Sequence, residues 1–254
     1  MGPMSLTDAQ VERYSRQLIL DGVGEAGQAR LGAARVLVVG AGALGSPVVQ
    51  YLAGAGIGHL TIIDGDAVEL SNLSRQPLYR EADLGASKAE SAAAAAASIN
   101  SEIEIVAESR RLKPDEAAGL VGVFDVVCDA TDDFAIKFAL NDVCVGAGVA
   151  LVHAAILQYG GQVTTVVPGG PCYRCLFGAA PDPEAVPTCA QAGILGPVAA
   201  VVGGLQATEA LKLILGVGEP LSGRLLVYDG LRPRARTVDF GRDPRCAAPH
   251  NPAL

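Results

Sequence analysis

The sequence predicts an α/β fold, a doubly wound, mostly parallel sheet with antiparallel strands towards the C-terminus. Three observations predict it. A β-branched run at 36–39 ends in a glycine-rich turn. Apolar strand-like runs alternate with helical patterns through the first 150 residues. After that the helices thin out and extended segments follow one another directly. A chain of 254 residues, half of them apolar, suits one such domain, and no internal repeat or flexible linker divides it. We read a single domain over 4–254, with Met4 as the native start and residues 1–3 as a vector remnant.

Each element has its own local reason. "TDAQVERYSRQLIL" opens on an N-cap, Thr7, and continues with helix-compatible residues. A short helix at about 25–32 leads into Val36–Val39, an unbroken apolar strand that suits burial on both faces. Gly40, Gly42 and Gly45 then give G-x-G-x-x-G: a tight turn, a place for backbone N–H groups to approach a phosphate, and close packing of the next helix. That helix, about 44–55, points its positive end at the same place. "HLTIID" ends in Asp64, where a ribose-binding acid is expected. "SKAESAAAAAASIN" is the clearest helix, because alanine is the best helix former. Strands follow at 103–107, 124–129 and 150–155, with a helix over "FAIKFALNDV". "GGQVTTVVP" pairs with "LVHAAILQY", and "RLLVYDG" with "ARTVDF". Between these pairs lie a long Pro- and Gly-rich loop with three cysteines and an apolar helix, "ILGPVAAVVGGLQATEALKLIL".

Composition excludes several classes of function. A net charge of −8 argues against nucleic acid as the main partner. No uninterrupted apolar run reaches about 18 residues, and no basic start precedes an apolar stretch, so neither a membrane span nor a signal peptide is expected. The expected location is the cytoplasm. Six cysteines in such a chain, two of them in a C-x-x-C, favour thiols or metal over disulfides.

The glycine turn and Asp64 alone fit NAD, and an NAD-binding oxidoreductase is one reading. Arg75 and Lys88 fit it poorly, since both follow strand ends where ligands of doubly wound folds bind. Two cations there suit a triphosphate, whose cleavage needs charge stabilisation on the leaving pyrophosphate. Asp132, after "FDVVCDATDDF", stands at the same edge and could hold Mg²⁺. Helix capping by Asp132 or Asp133 is the plainer alternative. Cys128, Cys144 and His153 read as core residues.

Eight motifs, "RYSRQLIL", "GAGALGSP", "LTIIDGDAVELSNLSRQPLY", "GASKAESA", "CDATDDF", "CYRCLF", "PTCAQAGILGP" and "GGLQATEALKLILG", run in order along nearly the whole chain. Together they resemble the MoeB/ThiF/HesA family, the bacterial relatives of ubiquitin-activating enzymes, most nearly its molybdopterin-synthase adenylyltransferases. The resemblance implies a Rossmann-like fold and an ATP-dependent adenylyltransferase. Its substrate would be the C-terminal Gly-Gly carboxylate of a ubiquitin-fold sulfur-carrier protein. The nucleotide would lie on Gly40, Gly42, Ala43, Gly45, Asp64, Asp66, Ser71, Asn72, Arg75, Lys88, Asp132 and Asp133. Within that set Asp64 binds the ribose, Asn72, Arg75 and Lys88 the phosphates, and Asp132 supports Mg²⁺. Arg16 would reach the neighbouring subunit's site in a homodimer, although an exposed helix position explains it equally. Cys189 matches a loop cysteine that some members link to the carrier. A separate sulfur donor is implied, because no rhodanese-like domain is appended.

Two departures stand out. The family often has Asp-Asn where this chain has Asp132-Asp133. It also commonly pairs Cys172 and Cys175 with a second C-x-x-C, but here Cys246 is followed by Pro249 and His250. A structural Zn²⁺ on Cys172, Cys175, Cys246 and His250 is the expectation, with idle thiols as the alternative. The pathway (molybdopterin, thiamine, a thiolated tRNA base or another) stays open, as does a non-catalytic carrier-binding scaffold.

Overall fold

The protein was analysed as a computed structural model that describes residues 6–182, 189–232 and 234–250. One eight-stranded sheet has the order β3-β2-β1-β4-β5-β6-β7-β8. Its strands are β1 (Arg35–Val39), β2 (His59–Ile63), β3 (Glu104–Glu108), β4 (Val126–Asp129), β5 (Ala150–Leu157), β6 (Gly160–Val166), β7 (Arg224–Asp229) and β8 (Arg234–Asp239). Pairings from β3 through β5 are parallel, and those from β5 through β8 are antiparallel. Both expected antiparallel pairs form, β5 with β6 and β7 with β8.

Helices cover both faces of the parallel part. They are α1 (Asp8–Leu18), α2 (Gly24–Ala33), α3 (Gly45–Ala55), α4 (Lys88–Ile99), α5 (Ala117–Leu120), α6 (Phe134–Ala147), α7 (Tyr173–Phe177), α8 (Cys189–Ala192) and α9 (Gly196–Leu215). The alternation of strand side chains decides which helix meets which residue. Val36 and Val38 enter the core with Leu52 of α3, Ala92 of α4 and Val202 of α9. Leu37 and Val39 enter the opposite core with Ala117 of α5 and Leu140 of α6. Val36, Leu37 and Val38 are fully buried. Each contributes about 1.5–3 kcal/mol of apolar transfer energy, which is why the run has no polar interruption.

The alanine tract has a packing reason too. Ala89, Ala92 and Ala96 are fully buried on α4, and side chains this small let α4 lie close to the rest of the layer. On length and composition alone α9 could cross a membrane. Half of it is buried, and it packs on α3 and on β4, β5 and β6, so it serves as a core helix. Gly203 makes that contact possible: a Cβ there would come within 2.8 Å of the Leu44 carbonyl oxygen at the start of α3.

Strand order reverses between β1 and β4, which pair directly with Val39 beside Asp129. The chain leaves β1 towards β2 and β3 on one side, then returns to β4 on the other. Such a switch point opens a crevice at the carboxyl ends of the strands.

Candidate active site

The glycine turn fills that crevice from one side. Gly40 has φ +91°, in the left-handed region that glycine alone enters without strain. A Cβ on Gly40 would stand 2.8 Å from the Ala130 carbonyl oxygen, and one on Gly45 would strike Gly40 itself. Gly42 is different: its added Cβ would meet only Gln76 Nε2, at 3.7 Å. The first and third glycines are therefore steric necessities, while the second leaves open space. Ala43 follows at the buried entry to α3.

Asp64, just past β2, folds back under this turn. Its carboxylate accepts the Ala41 N–H at 2.7 Å and the Asp66 N–H at 2.8 Å. Burial raises its pKa, against those two bonds and the nearby Lys88 charge. Tyr79 braces the turn from below, donating its hydroxyl to the Ala41 carbonyl at 2.6 Å.

Lys88 opens α4 and is 6% exposed. Its Nζ lies 3.2 Å from Asp66 Oδ2, and the exposed Arg111 donates to Asp66 Oδ1 at 2.6 Å. Burial opposes ionisation of Asp66, but the two cations win and hold its carboxyl below the usual value. The segment 70–76 adds Ser71, whose carbonyl accepts from Arg75 Nη1 at 2.8 Å, and buried Asn72, whose Oδ1 accepts the Glu69 N–H at 3.1 Å. Gln76 is 3% exposed with an Oε1 that no hydrogen bond satisfies.

Of Asp132 and Asp133, only the second caps the next helix. Asp133 is the N-cap of α6, accepting the N–H groups of Ala135 at 2.7 Å and Ile136 at 3.2 Å. Asp132 is exposed beside the turn, with no hydrogen bond among the described residues.

Arg16 stands apart from this group. Arg16 is exposed on α1. That helix is tied to the far ends of α3 and α4: Gln17 donates to the Ala55 carbonyl, Arg13 to the Ile99 carbonyl, and Asn100 to the Tyr14 hydroxyl. Cys189 opens α8 in the backbone, and its side chain lies outside the described residues, as do residues 1–3 and Met4. His153 is a core histidine as expected, but it also pairs with Asp129, at 2.7 Å from Nδ1.

Cys172, Cys175, Cys246 and His250 converge, their ligand atoms all within 4.8 Å of one another. Cys172 Sγ lies 3.7 Å from Cys175 Sγ, 3.6 Å from Cys246 Sγ and 3.4 Å from His250 Nε2. Bond lengths of about 2.3 Å to sulfur and 2.0–2.1 Å to nitrogen give tetrahedral edges of about 3.8 and 3.5 Å. A disulfide would need about 2.05 Å between sulfurs. The spacing fits a Cys₃His zinc centre. Asn141 of α6 supports it, directing Nδ2 at Cys172 Sγ and accepting the Tyr173 N–H.

Sequence reasoning missed Arg111, Tyr79, Gln76 and Asn141. Gln76 and Tyr79, both inside the motif at 60–79, carried a local signal; Arg111 and Asn141 carried none.

The family model described as the ThiF family matches residues 14–248. The chain is 49% identical over 243 residues to the SAMP-activating enzyme E1 of Haloferax volcanii, covering 96% of this chain and 90% of that protein. It is 46% identical over 249 residues to the sulfur carrier protein adenylyltransferase of Thermus thermophilus, covering 96% and 92%. Among solved structures, E. coli MccB in complex with AMPCPP and MccA superposes with a TM-score of 0.82 at 26% identity, covering 98% of this chain and 76% of that one.

Proposed function

This chain belongs to the ThiF family, and from that premise we propose that it adenylates the C-terminal Gly-Gly carboxylate of a ubiquitin-like sulfur-carrier protein. The observation that carries the reading is the buried Lys88 at the start of α4, beside a glycine turn with Asp64 beneath it. In a hydride-transfer enzyme no charge builds up on the cofactor's phosphates during the reaction, so its chemistry does not require a fixed cation there. An adenylyltransferase needs one, because pyrophosphate leaves with new negative charge. The names of the two relatives support the same reading.

The step is a displacement at phosphorus. A carrier carboxylate oxygen forms a bond to the α-phosphorus of ATP, the bond to the bridging oxygen breaks, and pyrophosphate departs with the electron pair. The carboxylate is already ionised at neutral pH, so no general base is required. What remains is positioning and charge stabilisation. Asp64 receives the ribose hydroxyls. The glycine turn and the N-terminus of α3 receive the phosphates. Lys88, Arg75 and Asn72 face the leaving pyrophosphate, with Ser71 and Asp66 holding Arg75 and Lys88 in place. Mg²⁺ would be held by Asp132, whose carboxylate makes no hydrogen bond among the described residues, and would add positive charge to the phosphates.

The protein acts as a cytoplasmic homodimer in this reading, with Arg16 serving the partner's site and sulfur arriving from a separate donor. The carrier has an open surface to meet. On one face of β7 and β8, Val227 and Val238 are incompletely covered, beside exposed Arg234 and Arg236. Zn²⁺ on the Cys₃His cluster is structural, since four protein ligands leave no open position.

The test is exchange of labelled pyrophosphate into ATP. We expect exchange only when a Gly-Gly-ending carrier and Mg²⁺ are present. Lys88→Ala should lower the rate by about 100-fold or more, the loss of one main transition-state contact. Wild-type exchange in that variant, or stabilisation of the protein by NAD and not by ATP, overturns the assignment.

A further inference from the structure

Asp129 ends β4 and is fully buried. Oδ1 accepts the Thr131 N–H at 3.1 Å and the Thr131 hydroxyl at 2.8 Å. Oδ2 lies 3.1 Å from Lys137 Nζ on α6 and 2.7 Å from His153 Nδ1 on β5. Lys137 is 3% exposed and donates also to the Ala154 carbonyl at 2.8 Å. The His153 ring packs on Tyr173, with centroids 4.3 Å apart. Burial would push the Asp129 carboxyl up, but the Lys137 charge and the bonds from His153 and Thr131 hold it well below the ordinary value.

A group this deep touches no ligand. Its reach is through the turn it closes. The two bonds to Thr131 fix the backbone between Asp129 and Asp132, and the Ala130 N–H ties the same turn to the Val39 carbonyl at 2.9 Å. The Ala130 carbonyl then forms the wall against which Gly40 packs. One carboxylate thus sets where Asp132 emerges and how closely the glycine turn can sit. Stability alone gives little reason for the arrangement, because well-packed apolar residues in place of a buried ion pair are often neutral or better.

We propose that Asp129, clamped by Lys137 and His153, is a positioning residue that locks the 130–132 turn so that Asp132 meets the metal–nucleotide and Gly40 keeps its place. This rests on the adenylation reading above. His153 extends the clamp to Tyr173, and so joins the nucleotide side of the sheet to the loop of Cys172.

Two variants test it. Asp129→Asn combined with Lys137→Met removes both charges and leaves none unpaired in the core. Thr131→Val removes one hydrogen bond to the turn and leaves the ion pair intact. In the double variant the carrier-dependent exchange should show kcat lower by about 10- to 100-fold, as for a misplacement of about 1 Å. KM for the carrier should be unchanged and the half-saturating Mg²⁺ concentration should rise. Thr131→Val should shift both quantities in the same direction by less, with a melting temperature near wild type, and it decides the matter if the double variant does not fold. Adding Asp132→Ala to either variant should cost clearly less than it costs wild type, because the turn is already displaced. A purely structural role would lower the melting temperature and leave the Asp132→Ala factor undiminished. That result, or wild-type kcat and Mg²⁺ dependence in a folded variant, overturns the proposal. If wild-type protein shows no exchange, the adenylation reading fails instead; Mg²⁺–ATP stabilisation of wild type against the two variants then decides whether the turn governs metal–nucleotide binding.

Discussion

Asp132 and Asp133 are chemically identical neighbours that the backbone puts to different uses. Asp133 Oδ1 accepts from the first turn of α6, while Asp132, exposed at the same turn, makes no hydrogen bond among the described residues. Asp133→Ala should therefore act on stability, costing about 1 kcal/mol for the lost cap. That is a fall in melting temperature of about 2–4 °C for a chain of this size. Asp132→Ala should leave the melting temperature alone and lower exchange by more than Asp133→Ala does. Thermal melts and exchange rates on the same two preparations check this, and the reverse pattern would show that the cap and the metal ligand have been interchanged. The D-D pair is visible in the sequence, but its division of labour is not, because either residue could have adopted the extended backbone of an N-cap.

The position of α1 limits what Arg16 can do. Its anchors, Ala55, Ile99 and Asn100, are at the C-terminal ends of α3 and α4. An 11-residue helix spans about 16 Å, so the exposed Arg16 stands roughly that far from its own glycine turn. In the proposed homodimer Arg16 would act across the subunit interface. Mixed dimers of Arg16→Ala and Lys88→Ala protein should then recover activity that neither variant has alone, because one of the two sites is free of both changes. With subunit exchange verified by mass, no recovery would remove Arg16 from the reaction. Most elements were legible for local reasons: Thr7 caps α1 as its position suggests, and the strands fall within two residues of their apolar runs. The short helices α5, α7 and α8 were not, since pieces of four or five residues carry too little periodicity to register.

At the scale of the whole molecule, the Cys₃His cluster brings the C-terminal tail to the loop after β6. Cys172 and His250 are 78 residues apart in sequence and 3.4 Å apart at Sγ and Nε2. Metal analysis of protein purified without added zinc or chelator should give about one Zn²⁺ per chain. Chelation should lower the melting temperature, because metal bound only to the native state adds its binding energy to folding. His250→Ala should weaken zinc retention more than it lowers adenylation. Folded, active, zinc-free protein would show that the thiols are idle.

The sequence by itself determined the sheet's parallel half and the glycine turn, and it nominated Asp64, Asn72, Arg75, Lys88 and Asp132 as candidates for the nucleotide site. Glycine spacing, caps and apolar period are properties of neighbouring residues, so they are legible without the fold. Only the tertiary structure decided that Arg111 shares Asp66 with Lys88 across 45 residues, that Asp129 is buried under the turn on Lys137 and His153, and that Asn141 backs the cysteines. These groups meet because β2 pairs with β3, because β4 pairs with β5 with Asp129 beside His153, and because α6 packs beneath the loop after β6. Contacts between residues so far apart in the chain depend on where the sheet and its covering helices bring them. No local pattern encodes that.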